Sequence, residues 1–334
     1  MDEVDKIINS IKQGIIKPIY FLTGEVPYYI DKISDYIENN LLEEHERDFN
    51  QTIYYGRDVK IEDIIATAKR FPMMAERQVV IVKEAQDLEK SIEKLENYLQ
   101  NLQESTVLVF AYKYKTLDKR KKITKLIEKS GVFFECKKLY ENQLATVINR
   151  MLSEKGYAIE PKAAAMLVEF LGDDLNKISN ELNKLQIILP QSHKITPSDI
   201  EINIGISKDF NNFEFIKALG EKNELKAYKI TKYFADNKEK NPLPLTISTV
   251  FNFFVKLLKY HGLKDKNPNN VAKMLEINPY FLKDYDVAMR NFPMKKVSAI
   301  ISKLRDVDIK SKGVGANNLP QHDLLKELLV VIFS

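Results

Sequence analysis

The sequence predicts an α/β domain followed by two all-helical regions within 334 residues. Three observations carry that expectation. Short, continuously apolar runs alternate with amphipathic helical stretches over residues 1–140, the pattern of a parallel sheet with helices on both faces. Beyond Tyr140 apolar residues recur at helical spacing only, so the strands are expected to stop there. Polar loops at 237–241 and 264–270 separate some of the later helices. The expected division is 1–140, 141–207 and 208–334.

Each element has a local reason. Asp2 is placed to cap a helix carrying Val4, Ile7, Ile8 and Ile11, with Gly14 just beyond it. Pro18-Ile19-Tyr20-Phe21-Leu22 reads as a buried strand closed by Thr23-Gly24, and a helix follows over 28–39. Further strands are expected at 52–55, 79–82, 106–110 and 132–134. Helices are expected at 61–70, at 87–102 (Leu88, Ile92, Leu95 and Leu99 on one face) and at 119–129. The second part holds helices at 141–154, 161–171 and 174–189, the last capped by the acidic pair Asp173-Asp174. Ile195 to Ile200 reads as a cap followed by one turn. The third part holds helices at 213–219, 224–235, 244–261, 269–275, 279–290, 294–307 and 319–333. Its apolar positions Val250, Phe251, Phe253, Phe254, Leu257 and Leu258 exceed one narrow stripe and suit a buried helix. The glycines of 313–318 suit a flexible connector.

Composition excludes several classes. Apolar residues make up 44% and charged residues 29%, the balance of a water-soluble chain. The net charge of +4, from 51 basic and 47 acidic side chains, is too even to signal nucleic-acid binding overall. The single cysteine, Cys136, excludes an internal disulfide and a Cys-cluster metal site, which fits the reducing cytosol. No apolar run has membrane-spanning length, and the acidic start lacks a signal-peptide layout.

Enzymatic chemistry has no visible seat. A phosphate loop would place Gly-Lys-Ser/Thr five residues after its first glycine, yet counting from Gly24 gives Tyr29, Ile30 and Asp31. Pro27 removes a backbone donor, and Glu25 and Asp31 repel phosphate. Lys83 stands where the first Mg²⁺-binding acid would be. No bound cofactor is therefore expected. His45, His193, His261 and His322 lack metal-ligand spacing, His45 reads as part of a solvated helix face, and Cys136 reads as a buried inert thiol. The basic run Lys113, Lys115, Lys119, Arg120, Lys121, Lys122 and Lys125 is either a solvated helix face or a set of phosphate contacts.

The most informative stretch is Phe71-Pro72-Met73-Met74-Ala75-Glu76-Arg77-Gln78. Pro72 ends the preceding helix, and a bulky aromatic with two methionines crowds a place where a chain normally turns polar. Flexible, polarizable Met beside Phe suits a plug for another protein's apolar pocket; the alternative is a cap on the local core.

Taken in order, these segments resemble the delta subunit of the bacterial DNA polymerase III clamp loader. The resemblance is carried by Tyr20 to Asp31, by Phe71 to Val82, by Gly172-Asp173-Asp174-Leu175, and by Asn180 to Leu185. Ile195 to Ile200, Asn212-Phe213-Glu214-Phe215 and Asp308 to Gly313 complete it. It implies a degenerate AAA+ core, made of a parallel-sheet domain and a small helical lid that have lost ATP binding, then a helical collar. It implies that the collar joins delta prime and the tau/gamma ATPase subunits around primed DNA. It further implies that delta grips the beta sliding clamp and favours an opened ring. Carried over, Met73 and Met74 occupy the plug positions and Phe71 the supporting one; family members often have Leu-Phe there, so Met-Met is a departure. Lys119, Arg120, Lys121 and Lys122 are the candidates for DNA phosphate contact. The alternatives are a delta-prime-like or other AAA+ switch subunit, which would bind ATP, and a helical DNA-binding module, which would bind DNA without a clamp.

Overall fold

The computed structural model describes residues 3–314 and 320–334, with the side chains of 141, 142, 321 and 322 left aside. The expected Asp2 cap, residues Gly315 to Asn318 of the connector and the start of the last helix at Leu319 lie outside the described residues. The chain divides into two units, Met1–Leu139 with Asp174–Asn176, and Tyr140–Asp173 with Lys177–Ser334.

The first unit is built on a five-stranded parallel sheet. Its elements are α1 (Glu3–Lys12), β1 (Ile19–Gly24), α2 (Pro27–Asn40), α3 (Glu44–Asn50), β2 (Gln51–Tyr55), α4 (Ile61–Ala68), β3 (Gln78–Lys83), α5 (Glu96–Leu99), β4 (Thr106–Lys113), α6 (Lys122–Ser130) and β5 (Val132–Cys136). The strand order is β2-β3-β4-β1-β5, every pair parallel. The apolar runs read from the sequence are this sheet's interior: Ile19 to Leu22, Val79 to Val82 and Val107 to Tyr112 are all buried. Phe21 anchors one layer, with its ring 5.6 Å from Phe110, 5.5 Å from Tyr112 and 6.0 Å from Phe133, distances at which aromatic pairs attract.

Two expectations change here. Residues 87–102 do not form one helix. They form two short 3₁₀ turns, Ala85–Leu88 and Ile92–Leu95, then α5. Leu88, Ile92, Leu95 and Leu99 are buried as expected, but the Ser91 hydroxyl donates to Leu88 O at 3.1 Å and competes with helix propagation. The helix expected at 61–70 ends at Ala68. α3, a seven-residue helix, was not expected from periodicity, because its face is polar except at Phe49. It carries exposed His45, as expected of a solvated face.

The second unit holds α7 (Glu141–Ser153), β6 (Ala158–Ile159), α8 (Pro161–Leu171), α9 (Leu175–Ile188), β7 (Lys194–Ile195), α10 (Pro197–Ile204), α11 (Asn212–Gly220), α12 (Glu224–Asp236), α13 (Leu243–Gly262), α14 (Pro268–Leu275), α15 (Leu282–Asn291), α16 (Met294–Ser311) and α17 (Gln321–Phe333). Strands therefore do not stop at Tyr140: β6 and β7 pair in parallel over two residues each. Two residues are too few to leave a period-2 signal. Asp174 Oδ1 accepts from Asn176 N at 3.1 Å at the start of α9, the cap read from the sequence. Thr196 caps α10 reciprocally with Asp199, and the helix runs on to Ile204, longer than the single turn expected. Around α13, Val250, Phe253, Phe254 and Leu257 are buried in one core with residues of α11, α12 and α15 to α17, while Phe251 faces solvent. No helix among the described residues is long and apolar enough to cross a membrane.

Glu214 of α11 is buried between two lysines, 2.6 Å from Lys162 of α8 and paired also with Lys226 of α12. Burial opposes its charge, but the two ammonium groups prevail and hold the carboxyl below its usual 4.5. Its stabilising contribution is thus present above that value and lost as pH falls through the lower folded one. Glu214→Gln is expected to cost on the order of 1–3 kcal/mol at neutral pH. Urea unfolding should show the deficit shrinking as pH falls below 4.5; an equal deficit at neutral and acidic pH would contradict this assignment.

Candidate protein-binding site

Helix α4 ends where its last carbonyls meet a buried polar node. The Gln78 side chain, first in β3, donates from Nε2 to Arg70 O (2.5 Å) and Thr106 Oγ1 (2.8 Å), with Thr67 O at 3.2 Å and Ala68 O at 3.4 Å. Thr106 Oγ1 donates to Ala68 O at 2.8 Å and the Tyr98 hydroxyl does so at 3.2 Å. Desolvation pushes the Tyr98 phenol up to about 12, so it remains a donor. Carbonyls at a helix C-terminus have no partner within the helix, and these side chains supply one. The node fixes the point from which residues 71–77 depart. Gln78→Ala is expected to lower stability by about 1–3 kcal/mol by stranding Arg70 O and weakening the node; faster amide exchange around residues 67–70 than in β1 would report it, and uniform exchange would contradict it.

Beyond the node the apolar side chains point outward. Phe71 is 79%, Met73 57% and Met74 100% exposed. They do not cap the local core. Met74 has φ 55°, in the left-handed region, a conformation that costs a non-glycine residue roughly 1–2 kcal/mol. Met73 is held by Asn50, the last residue of α3: Met73 N donates to Asn50 Oδ1 at 2.6 Å, and Asn50 Nδ2 donates to Met73 O at 2.9 Å. Phe49 beside it is also exposed. Asn50 and Phe49 were not singled out in the sequence, because one polar–apolar pair in a charged helix carries no periodic signal.

This apolar group lies at the amino ends of β2 and β3, whereas residues 24–31 lie at the carboxyl end of β1. Strand β3 alone spans roughly 17 Å. In open α/β sheets small ligands bind at the carboxyl ends, so the two places are distinct. At the carboxyl end, Tyr29 and Ile30 are buried and Asp31 pairs with Lys113 at 2.9 Å. Lys113 also meets Glu84 at 2.8 Å, and Lys83 meets Glu38 at 2.7 Å and Asp35 at 3.6 Å. Burial disfavours the Lys113 ammonium, yet Glu84 and Asp31 outweigh it and raise its pKa. Cys136 is buried, its thiol pushed up to about 11 by desolvation, with Sγ donating to Thr23 O and Val26 O.

Six of the seven cations of the basic run, all but Lys125, are shown paired with carboxylates. Lys119 pairs with Glu135, Arg120 with Asp118, Lys121 with Glu93 and Lys122 with Glu96. Lys113 and Lys115 are paired as well, the latter with Glu89. Among the described residues, no group of three or more His, Cys, Asp or Glu is placed to hold a metal ion.

Two family models match the chain: "DNA polymerase III, delta subunit" over residues 20–137, and "DNA polymerase III delta subunit, C-terminal domain" over residues 209–330. The chain belongs to the DNA polymerase III delta subunit family. The first match runs from β1 to β5 and contains Asn50, Phe71, Met73 and Met74. A curated relative, DNA polymerase III subunit delta of Bacillus subtilis (strain 168), is 26% identical over 315 residues, 91% of this chain and 90% of the relative. The solved Bacillus subtilis DNA clamp loader delta protein is 25% identical, with 99% of each chain covered and a TM-score of 0.56. The Thermotoga maritima RuvB Holliday junction branch migration motor aligns over 86% of each chain at 16% identity and a TM-score of 0.37, too distant to build on. The fold is a five-stranded parallel sheet with helices, followed by helical regions.

Proposed function

We propose that this chain is the subunit of the bacterial replicative clamp loader that grips the beta sliding clamp through Phe71, Met73 and Met74. The observation that carries the proposal is the outward presentation of three large apolar side chains on a segment pinned at its base by Gln78 and within it by Asn50. Exposed apolar groups on an ordered segment act as anchors for a partner's pocket. Family membership supports the sliding clamp as that partner. The chain acts without catalysis or nucleotide of its own: paired Lys83, Lys113 and Asp31 sit where phosphate and Mg²⁺ would need open ligands.

The mechanism is a shift of populations. A clamp has closed and open forms, and the plug displaces that equilibrium only by binding the open form more tightly. Two methionines bring roughly 3–6 kcal/mol of burial when wholly desolvated, before the costs of association. The helices of residues 208–334 would form the collar that joins delta prime and the tau/gamma ATPases, whose ATP state exposes or withholds the plug. A lid at 141–207 lies between collar and sheet domain in sequence. The assembly works on primed DNA in the cytoplasm. Contacts from Lys119, Arg120, Lys121 and Lys122 to phosphate would require each to leave its carboxylate.

Clamp release from nicked circular DNA tests the ring-opening part. The chain alone, without ATP, is expected to accelerate release. Confirmed binding with an unchanged release rate would reduce the role to tethering.

A further inference from the structure

Asn50 and Phe49 invert the usual order of burial. Asn50 is 3% exposed while Phe49 is 72% exposed, against the preference of both residue types. A buried amide persists where its donors and acceptor are met. Here Nδ2 donates to Glu46 O at 3.0 Å and to Met73 O at 2.9 Å, and Oδ1 accepts from Met73 N at 2.6 Å. Two of the three bonds go to a single residue, taking both backbone groups of Met73 as a neighbouring strand would. The helix that carries Asn50 is itself anchored. Glu43 N donates to Glu46 Oε2 at 2.9 Å at its start, and Arg47 donates to Asn39 O at 2.7 Å and Leu42 O at 3.2 Å. Left-handed Met74 follows directly, and such a conformation persists where the surroundings over-determine it.

Resting on the clamp-binding reading above, we infer that Asn50 is the positioning residue of the plug: it fixes the Met73 backbone so that Met73 and Met74 are already in binding geometry in the free subunit. The plug then needs little ordering on association. Without Asn50, residues 71–77 keep their side chains but sample many conformations, and apparent affinity falls by the fraction that remains competent. This loss differs in kind from loss of the plug itself. Fewer competent molecules slow association and leave dissociation unchanged, whereas removing anchor side chains accelerates dissociation.

Binding kinetics of the full chain against the sliding clamp test this, using wild type, Asn50→Ala and Met73→Ala/Met74→Ala, each corrected for its native fraction. Asn50→Ala is expected to lower the association rate about tenfold with an unchanged dissociation rate. The Met73 amide should lose exchange protection while β1 amides keep theirs. If Asn50→Ala does not fold, Asn50→Asp carries the test. It keeps the acceptor for Met73 N–H, lacks the donor to Met73 O, and is expected to show a smaller loss of the same kinetic kind. Wild-type kinetics in a folded Asn50 variant, with binding lost in the double Met variant, would overturn the positioning role and leave the clamp-binding reading standing. Normal binding by the folded double Met variant would overturn both.

Discussion

Met73→Ala combined with Met74→Ala is expected to weaken sliding-clamp binding at least 100-fold, from roughly 3 kcal/mol or more of lost burial, without loss of fold. Both side chains face solvent in the free chain, and surface substitutions away from special contacts change stability by about 0.5 kcal/mol or less. The Asn50 bonds go to the Met73 backbone and survive the substitution. Phe71→Ala should cost less, about tenfold, as the supporting group at the edge of the plug. Calorimetric titration alongside a thermal melt separates the two effects. A parallel loss of melting temperature and affinity would mean that the methionines hold the fold rather than a partner.

Gly24→Ala is expected to destabilise the sheet domain by about 3–5 kcal/mol, combining backbone strain with overpacking. Gly24 has φ 127°, and a Cβ there would lie 2.0 Å from Cys136 O and 2.7 Å from both Cys136 N and Sγ. The obstacle is backbone, so β1 and β5 would have to separate. Backbone conformation and strand packing together account for a glycine at this position. Segment-resolved hydrogen exchange distinguishes this role from a phosphate cradle. Accelerated exchange in β1 and β5 is expected, whereas full protection in the folded variant would show that the position tolerates a side chain and serves something else.

Much of the sheet domain was legible because burial on both faces leaves continuous apolar strands, and Val79 to Val82 or Val107 to Phe110 have few other readings. Residues 85–99 misled periodicity because apolar spacing of three or four serves 3₁₀ and α turns alike, and the Ser91 hydroxyl decides between them only in three dimensions. The β6–β7 pair was invisible for want of length. At the candidate site, composition marked Phe71, Met73 and Met74, and only the structure separates exposed side chains from a core cap. What holds them was hidden: Asn50 lies 23 positions from Met73, and Gln78 reaches Thr106 across 28. Bonds of that span leave no trace in local spacing. The same holds for the basic run, whose carboxylate partners come largely from other elements.

A titration of the sliding clamp from the same organism with the wild-type chain, in the presence and absence of ATP, tests the assignment most directly. Saturable binding of equal affinity in both conditions is expected, because Phe71, Met73 and Met74 are exposed in the free chain, while Tyr29 and Ile30 are buried and Asp31 pairs with Lys113. No binding in either condition, or binding that requires ATP on the isolated chain, would contradict it.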